Sequence, residues 1–151
     1  MRRLILLRHA KSSWADPGAS DHDRPLNRRG QEAAPKIGTY LNRHRLIPDC
    51  VLCSTARRAR ETWDLVSAEI PAAPPEATAL LLVGHNPGIQ DAATLLIAAG
   101  DLDDRERLRE KLPTGALVVI DFAITQWSKL HPHAGRLERF VVPRMLEEAT
   151  D

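Results

Sequence analysis

The sequence predicts an α/β fold of three layers, with a central, mostly parallel sheet flanked by helices. Three observations point there. Five short apolar runs alternate along the chain with helical patterns, the order that builds βαβ units. The runs are continuously apolar, as in strands covered on both faces. The length of 151 residues, with 43% hydrophobic and 27% charged, suits one domain with its own core, so 1–151 is read as a single domain.

The first strand is expected at residues 4–7. A helix from Arg28 to about His44 sets Ala33, Ile37 and Leu41 on one face, and Asn27 is its expected N-cap. Residues 50–53 form the second strand. The next helix, from Ala56 to about Glu69, aligns Ala59, Trp63, Val66 and Ile70, with Ser54 or Thr55 as cap. Residues 80–83 are the third strand. A helix from Ile89 to Ala99 follows Asn86-Pro87 and stops at Gly100. Residues 101–112 are charge-dense and read as a solvated helix. Residues 116–120 and 140–142 complete the strands. The Asp-rich stretch 16–25 and the Pro/Ala-rich stretch 71–79 are loops, and no repeat is evident.

Composition excludes several classes of function. Lys and Arg total 21 against 20 Asp and Glu, a net charge of +1, so no bulk attraction to nucleic acid or an acidic membrane is expected. No apolar run approaches the ~18 residues of a membrane span. The N-terminal apolar stretch, Leu4 to Leu7, is shorter than the ~7–15-residue core of a signal peptide, so a cytoplasmic location is expected. Cys50 and Cys53 match C-x-x-C. In a strand, residues three apart point to opposite faces, and no second cysteine pair completes a zinc site. The pair is therefore read as small hydrophobes in a buried strand, with no metal. His131 and His133 flank Pro132 in a turn, His22 and His44 are expected on the surface, and Trp14 lines either the pocket mouth or the core.

Ligands of open α/β sheets bind beyond the carboxyl ends of the strands. The first strand delivers Arg8-His9-Ala10-Lys11-Ser12-Ser13, the second Ser54-Thr55-Ala56-Arg57-Arg58, and the third Gly84-His85-Asn86-Pro87-Gly88. Imidazoles and guanidiniums converging on one rim suit a phosphoryl group, and a helix N-terminus past His85 adds N–H donors. Rival phosphate chemistries fail on spacing. There is no G-x-x-x-x-G-K-[ST] loop, no G-x-G-x-x-G after a strand and no G-x-S-x-G. A cysteine nucleophile five residues before an arginine is also missing, because Ala56 and Ala59 stand six beyond Cys50 and Cys53. Histidine remains as the natural nucleophile.

On these residues the chain resembles the histidine phosphatase (phosphoglycerate mutase-like) superfamily. The marks are Arg8-His9 at the end of the first strand, the Ser54, Arg58, Ala59, Thr62 stretch, and Gly84-His85 late in the chain. Ala10 stands where the family normally has glycine. The small size, Asp21 to Leu26 and Gly30 look most like SixA-type phosphohistidine phosphatases. The resemblance implies a phosphoglycerate mutase-like fold, with His9 as the nucleophile that is transiently phosphorylated. It implies Arg8 and Arg58 as ligands of the phosphoryl oxygens and His85 as the second pocket histidine. Lys11 and Ser12 are further candidate phosphate contacts. No cofactor or metal is implied. Many relatives carry a longer segment before the late histidine, which in several supplies an acid. Here residues 71–79 offer only Glu76, either because the member is trimmed or because residues are missing. Asp21 and Asp23 are then the candidate proton donors, and a phosphohistidine substrate lessens the need for one. A short chain implies an open pocket, suited to a phosphorylated protein rather than an enclosed metabolite. A small-metabolite phosphatase or mutase, and a non-catalytic phosphate-binding module, are the alternatives.

Overall fold

The computed structural model describes residues 1–72 and 78–148. Most of the 71–79 connection, Glu76 included, lies outside them. The elements in order are β1 (Arg2–Arg8), α1 (Arg28–Arg43), β2 (Cys50–Cys53), α2 (Arg57–Ser67), β3 (Ala79–Gly84), α3 (Gly88–Leu96), β4 (Ile97–Gly100), α4 (Leu102–Glu110), β5 (Leu117–Phe122), β6 (Gly135–Val141) and α5 (Pro143–Glu148). They build one six-stranded sheet in the order β2-β3-β1-β5-β6-β4. β5 runs antiparallel to both neighbours, and the other pairings are parallel, so five strands share one direction.

The alternation of β1 divides the core. Ile5 and Leu7 face a cluster with Ala34, Ile37 and Leu41 of α1, Ala59 and Val66 of α2, and Leu146 of α5. Leu4 and Leu6 face the other way, with Ile89 and Ala93 of α3 and Leu108 of α4. Helices thus cover both faces, the three layers that continuous apolar strands predict. Among the described residues no helix is long and apolar enough to cross a membrane.

Several elements differ from the sequence reading, among them α5, which it did not place. The helix expected to reach Ala99 ends at Leu96. Ile97 is extended (φ −84°, ψ 128°), and β4 pairs Ile97 with Gly135 and Gly100 with Leu137. Pairing to β6 overrides a helical pattern too short to hold its last turn. Gly100 adopts φ 125°, and a Cβ there would lie 2.7 Å from the Leu137 carbonyl oxygen, so it ends a strand rather than capping a helix. β6 begins at Gly135, five residues before the apolar run. Its first half alternates, with Arg136 and Glu138 outward and Leu137 inward, a half-solvated pattern that a search for continuous runs misses. β2 is an edge strand, not a buried one. Val51 and Cys53 pack toward α1 and α2, whereas Cys50 is exposed and Leu52 is 53% exposed.

β1, β2 and β3 end at one rim, with Arg8 opposite Gly84 and Cys53 opposite Val83. β5 starts at the same rim, because Leu117 pairs with Leu7. The residues that leave these strands are therefore neighbours.

Candidate active site

Backbone bonds fix the chain just past β1. His9 N–H donates to the Gly84 carbonyl at 3.0 Å, and Gly115 N–H donates to the carbonyls of Arg8 and His9 at 3.1 and 2.9 Å. Ala10 N–H donates to Thr62 Oγ1 at 3.0 Å, and the Thr62 hydroxyl donates to the Arg58 carbonyl at 2.7 Å. Thr62 and Ala10 are fully buried, so the threonine of the second motif ties the His9–Ala10 loop to the helix that carries Arg58. Gly30 lets α1 approach this loop, since a Cβ would sit 2.2 Å from the Lys11 carbonyl oxygen. Asn27 caps α1 as expected, accepting from Gly30 N–H at 2.9 Å.

His9 is 6% exposed. Its Nδ1 lies 2.8 Å from the Ala10 carbonyl oxygen. A carbonyl only accepts, so Nδ1 carries the proton and Nε2 keeps its lone pair. Arg58 Nε points its N–H at that Nε2 from 3.4 Å, consistent with this tautomer. Burial lowers the His9 pKa to about 4, aided by the charges of Arg58, His85 and Arg8 and opposed by the Ala10 bond. The ring is neutral at pH 7, with a bare nitrogen facing cationic groups.

His85 stands 5.2 Å away between ring centroids, tilted by 56°. Arg58 Nη2 lies 3.3 Å from its Nδ1, and Ser54 Oγ lies 2.6 Å from its Nε2. A guanidinium only donates, so His85 carries its proton on Nε2 and donates it to Ser54. Burial, then the Arg58 charge, lowers its pKa. Ser54 also accepts from Ala56 N–H at 3.2 Å. α2 starts with no side-chain cap at Ala56. Ser54 orients the pocket histidine rather than capping the helix, and Thr55 does not cap it either.

Arg58 is 8% exposed. Besides the two imidazoles it bonds the Asp21 carbonyl at 2.7 Å and Asp21 Oδ2 at 3.2 Å. Arg8 Nη1 donates to the Leu112 carbonyl at 2.8 Å, while its buried Nε has no partner. Its charge depresses both histidines. The structure therefore gathers His9, His85, Arg58 and Arg8 from three strand ends. Asp21 joins them through Arg58, which is the largest cause holding its carboxyl below the usual range. The carboxylate is 73% exposed and ionised, so the resting enzyme does not present it as an acid. Asp23 lies apart, bonded to Ser20 Oγ at 2.9 Å. Lys11 is exposed and lines a separate cleft, and Ser12 is buried with its backbone bridged to Leu26.

One contact escapes a reading by motifs. Trp14 is 75% exposed, outside the core. The Arg24 guanidinium carbon lies over its ring, 3.4 Å from the ring centre, and Arg24 Nε sits 3.4 Å from Asp21 Oδ1. The stack covers the arginine that steadies the Asp21 loop. The spacing of Asp21 and Arg24, one turn apart, is the only sequence signal for it. Among the described residues no three His, Cys, Asp or Glu side chains gather as a metal site would require. An unprotonated ring nitrogen that meets only one long contact, from Arg58, suits attack on a phosphorus whose oxygens the arginines hold.

Residues 4–82 match the model of the histidine phosphatase superfamily (branch 1), and His85 lies just beyond the matched stretch. An uncharacterized protein of Mycobacterium tuberculosis (strain ATCC 25618 / H37Rv) is 36% identical over 160 residues, covering 91% of this chain and all of the relative. A crystal structure from Agrobacterium tumefaciens, assigned as the phosphohistidine phosphatase SixA, superposes with TM-score 0.76 at 30% identity, over 94% of this chain and 98% of that one. The protein histidine phosphatase SixA in complex with tungstate shares the fold at TM-score 0.74 and 18% identity, over 95% and 99% of the two chains. The Arg-His pair, the arginine helix and the late histidine, held around one rim of this sheet, are those of a phosphatase scaffold: the chain belongs to the histidine phosphatase superfamily, branch 1.

Proposed function

We propose that the protein is a phosphohistidine phosphatase that works through a phosphoenzyme on His9 Nε2 and without a metal. The observation that carries this reading is the His9 tautomer. Nδ1–H is spent on the Ala10 carbonyl, and Nε2 is left unprotonated, accepting only a long contact from Arg58 Nε–H at 3.4 Å.

In the first step Nε2 bonds to phosphorus in line with the scissile P–N bond. That bond breaks toward a substrate imidazole whose other nitrogen is already protonated, so it leaves as neutral imidazole. Arg58 and Arg8 hold the oxygens, and His85, oriented by Ser54, lines the pocket beside them. The His9 proton stays on Nδ1, hydrogen-bonded to the Ala10 carbonyl, so the phosphorylated ring carries a positive charge that offsets part of the phosphoryl charge. In the second step a water oxygen bonds to phosphorus, the P–Nε2 bond breaks, and its electron pair returns to the ring. Dihydrogen phosphate leaves and neutral His9 is restored.

Two features favour phosphohistidine over an ester. The leaving imidazole needs no enzyme acid, and the carboxyl that meets Arg58, Asp21, is ionised against it. The rim is also open, with Asp21 73% and His22 58% exposed at its edge, which suits a residue displayed on a protein. Comparing kcat/KM for a phosphohistidyl peptide and for an aryl phosphate tests the assignment. The peptide should be the far better substrate, and Asp21→Asn should spare it. An enzyme that prefers the ester, or that loses phosphohistidine turnover in Asp21→Asn, is a small-ester phosphatase using Asp21 as its acid.

A further inference from the structure

A cleft of about 630 Å³ opens on the same rim, beside the reacting pocket and separate from it. Its walls come from the N-terminal turn of α1, the end of α4, the 111–114 turn and the start of α5. Continuity with the nucleophile is covalent and hydrogen-bonded. Lys11, on one wall, is two residues past His9. The opposite wall, Pro113 and Thr114, leads into Gly115, whose N–H holds the His9 carbonyl at 2.9 Å. Leu112, just before that wall, accepts the Arg8 guanidinium at 2.8 Å.

The cleft concentrates positive charge in a chain that is nearly neutral. Five basic side chains line it against three acidic ones, whereas the whole chain carries only +1. Lys11, Arg29 and Lys111 are exposed. One of the acids, Glu32, is paired with Arg28 at 3.1 Å, and one of the bases, Arg107, with Asp104 at 2.8 Å, so the excess of two positive charges stands. The floor is apolar, with Ala33, Phe140 and Val142 among its residues. A cationic rim over an apolar floor fits a polypeptide segment carrying acidic side chains and a few apolar ones.

We infer that this cleft docks acidic residues flanking the phosphorylated histidine of a protein substrate, and so selects which phosphoproteins reach His9. The inference deepens the phosphohistidine reading and rests on it. The apolar floor favours a peptide over a nucleic acid, which would meet phosphate contacts only at the edge.

The test uses binding, so that it does not depend on turnover. Two fluorescein-labelled peptides are compared by anisotropy, each with a central unphosphorylated His. One has Glu and Asp on both flanks and the other has Gln and Asn. The full chain should bind the acidic peptide roughly tenfold or more tightly, with the difference shrinking at high salt. Arg29→Glu with Lys111→Glu should abolish the preference while hydrolysing free phosphoramidate at the wild-type rate, which also reports correct folding. The milder Arg29→Gln with Lys111→Gln should weaken it partway. Equal binding of the two peptides, or an unchanged preference in the charge-reversed protein, overturns the inference. Tighter binding of a single-stranded oligonucleotide of equal charge overturns it in favour of nucleic acid. Failure of the wild-type protein to hydrolyse phosphoramidate strikes instead at the phosphohistidine reading, leaving the peptide result to stand or fall by itself.

Discussion

Replacing Arg58 by methionine keeps the apolar stem and removes the guanidinium that ties the site together. That group meets His9 Nε2 at 3.4 Å, His85 Nδ1 at 3.3 Å and Asp21 at 2.7 and 3.2 Å. Losing one preorganised donor to a transition-state anion costs about 3 kcal/mol, or roughly 100-fold in rate. In the proposed mechanism Arg58 is such a donor and carries a full charge as well, so kcat/KM on a phosphohistidyl peptide should fall at least that far. The same change should raise the His9 pKa from its value near 4, because one charge that depresses it is gone. The rise should stop short of 6.5, since burial is the larger cause. The ring ¹⁵N signals of His9, followed by NMR against pH, read this directly. Arg58→Lys separates charge from geometry. It should keep the His9 pKa low yet still lose most of the rate, because an ammonium cannot reproduce the planar fork. A His9 titration unmoved in Arg58→Met, with less than about a tenfold rate loss, would refute the reasoning that Arg58 is the oxyanion clamp.

Other expectations follow from the same contacts. Thr62→Val removes the acceptor of the buried Ala10 N–H and the donor to the Arg58 carbonyl. Urea unfolding should show a loss of about 1–3 kcal/mol, and activity should fall with it. Ser54→Ala frees His85 Nε2 from its 2.6 Å bond. It should lower kcat by roughly tenfold with little change in unfolding midpoint, because one hydrogen bond of about 1 kcal/mol orients the ring. Stability should also fall on the acid side. The folded His9 pKa is depressed to about 4, so unfolding takes up a proton as pH drops. The contribution is whole above about 6.5, shrinks as pH falls toward 4, and amounts to at most about 3 kcal/mol for a ring this buried. Chemical denaturation of His9→Ala across that range should show a flatter profile than wild type, and equal slopes would contradict the depressed His9 pKa.

The parts of the molecule legible in the sequence are those in which a local pattern carries the whole physical demand. β1 and β3 sit inside the sheet, with α/β cover on both faces, so their apolar runs are unbroken and their ends deliver Arg8, His9 and His85 to a common rim. α1 shows its cap and the Ile37 and Leu41 part of its stripe, but Ala34 rather than Ala33 turns into the core. What escapes depends on partners far along the chain. Ile97 joins a strand only because β6 lies ready to pair, and β6 hides its first half in an alternating pattern. Cys50 is exposed because β2 is the last strand of the sheet, a position that four residues cannot announce. In the site, Ser54 looks like a helix cap from its neighbours, and only the fold brings it to His85, 31 positions away. Trp14 on Arg24 likewise needs the 12–26 loop to fold back on itself.

Everything above turns on one nitrogen, and trapping it is the most direct measurement. The enzyme is mixed with ³²P-labelled phosphoramidate, quenched in alkali within its first turnover, digested, and mapped by mass spectrometry. If His9 Nε2 is the nucleophile, label appears on the peptide bearing His9, the burst matches the enzyme concentration, and His9→Ala traps none and turns over none. Label on another residue, or sustained hydrolysis by His9→Ala, would contradict the mechanism outright.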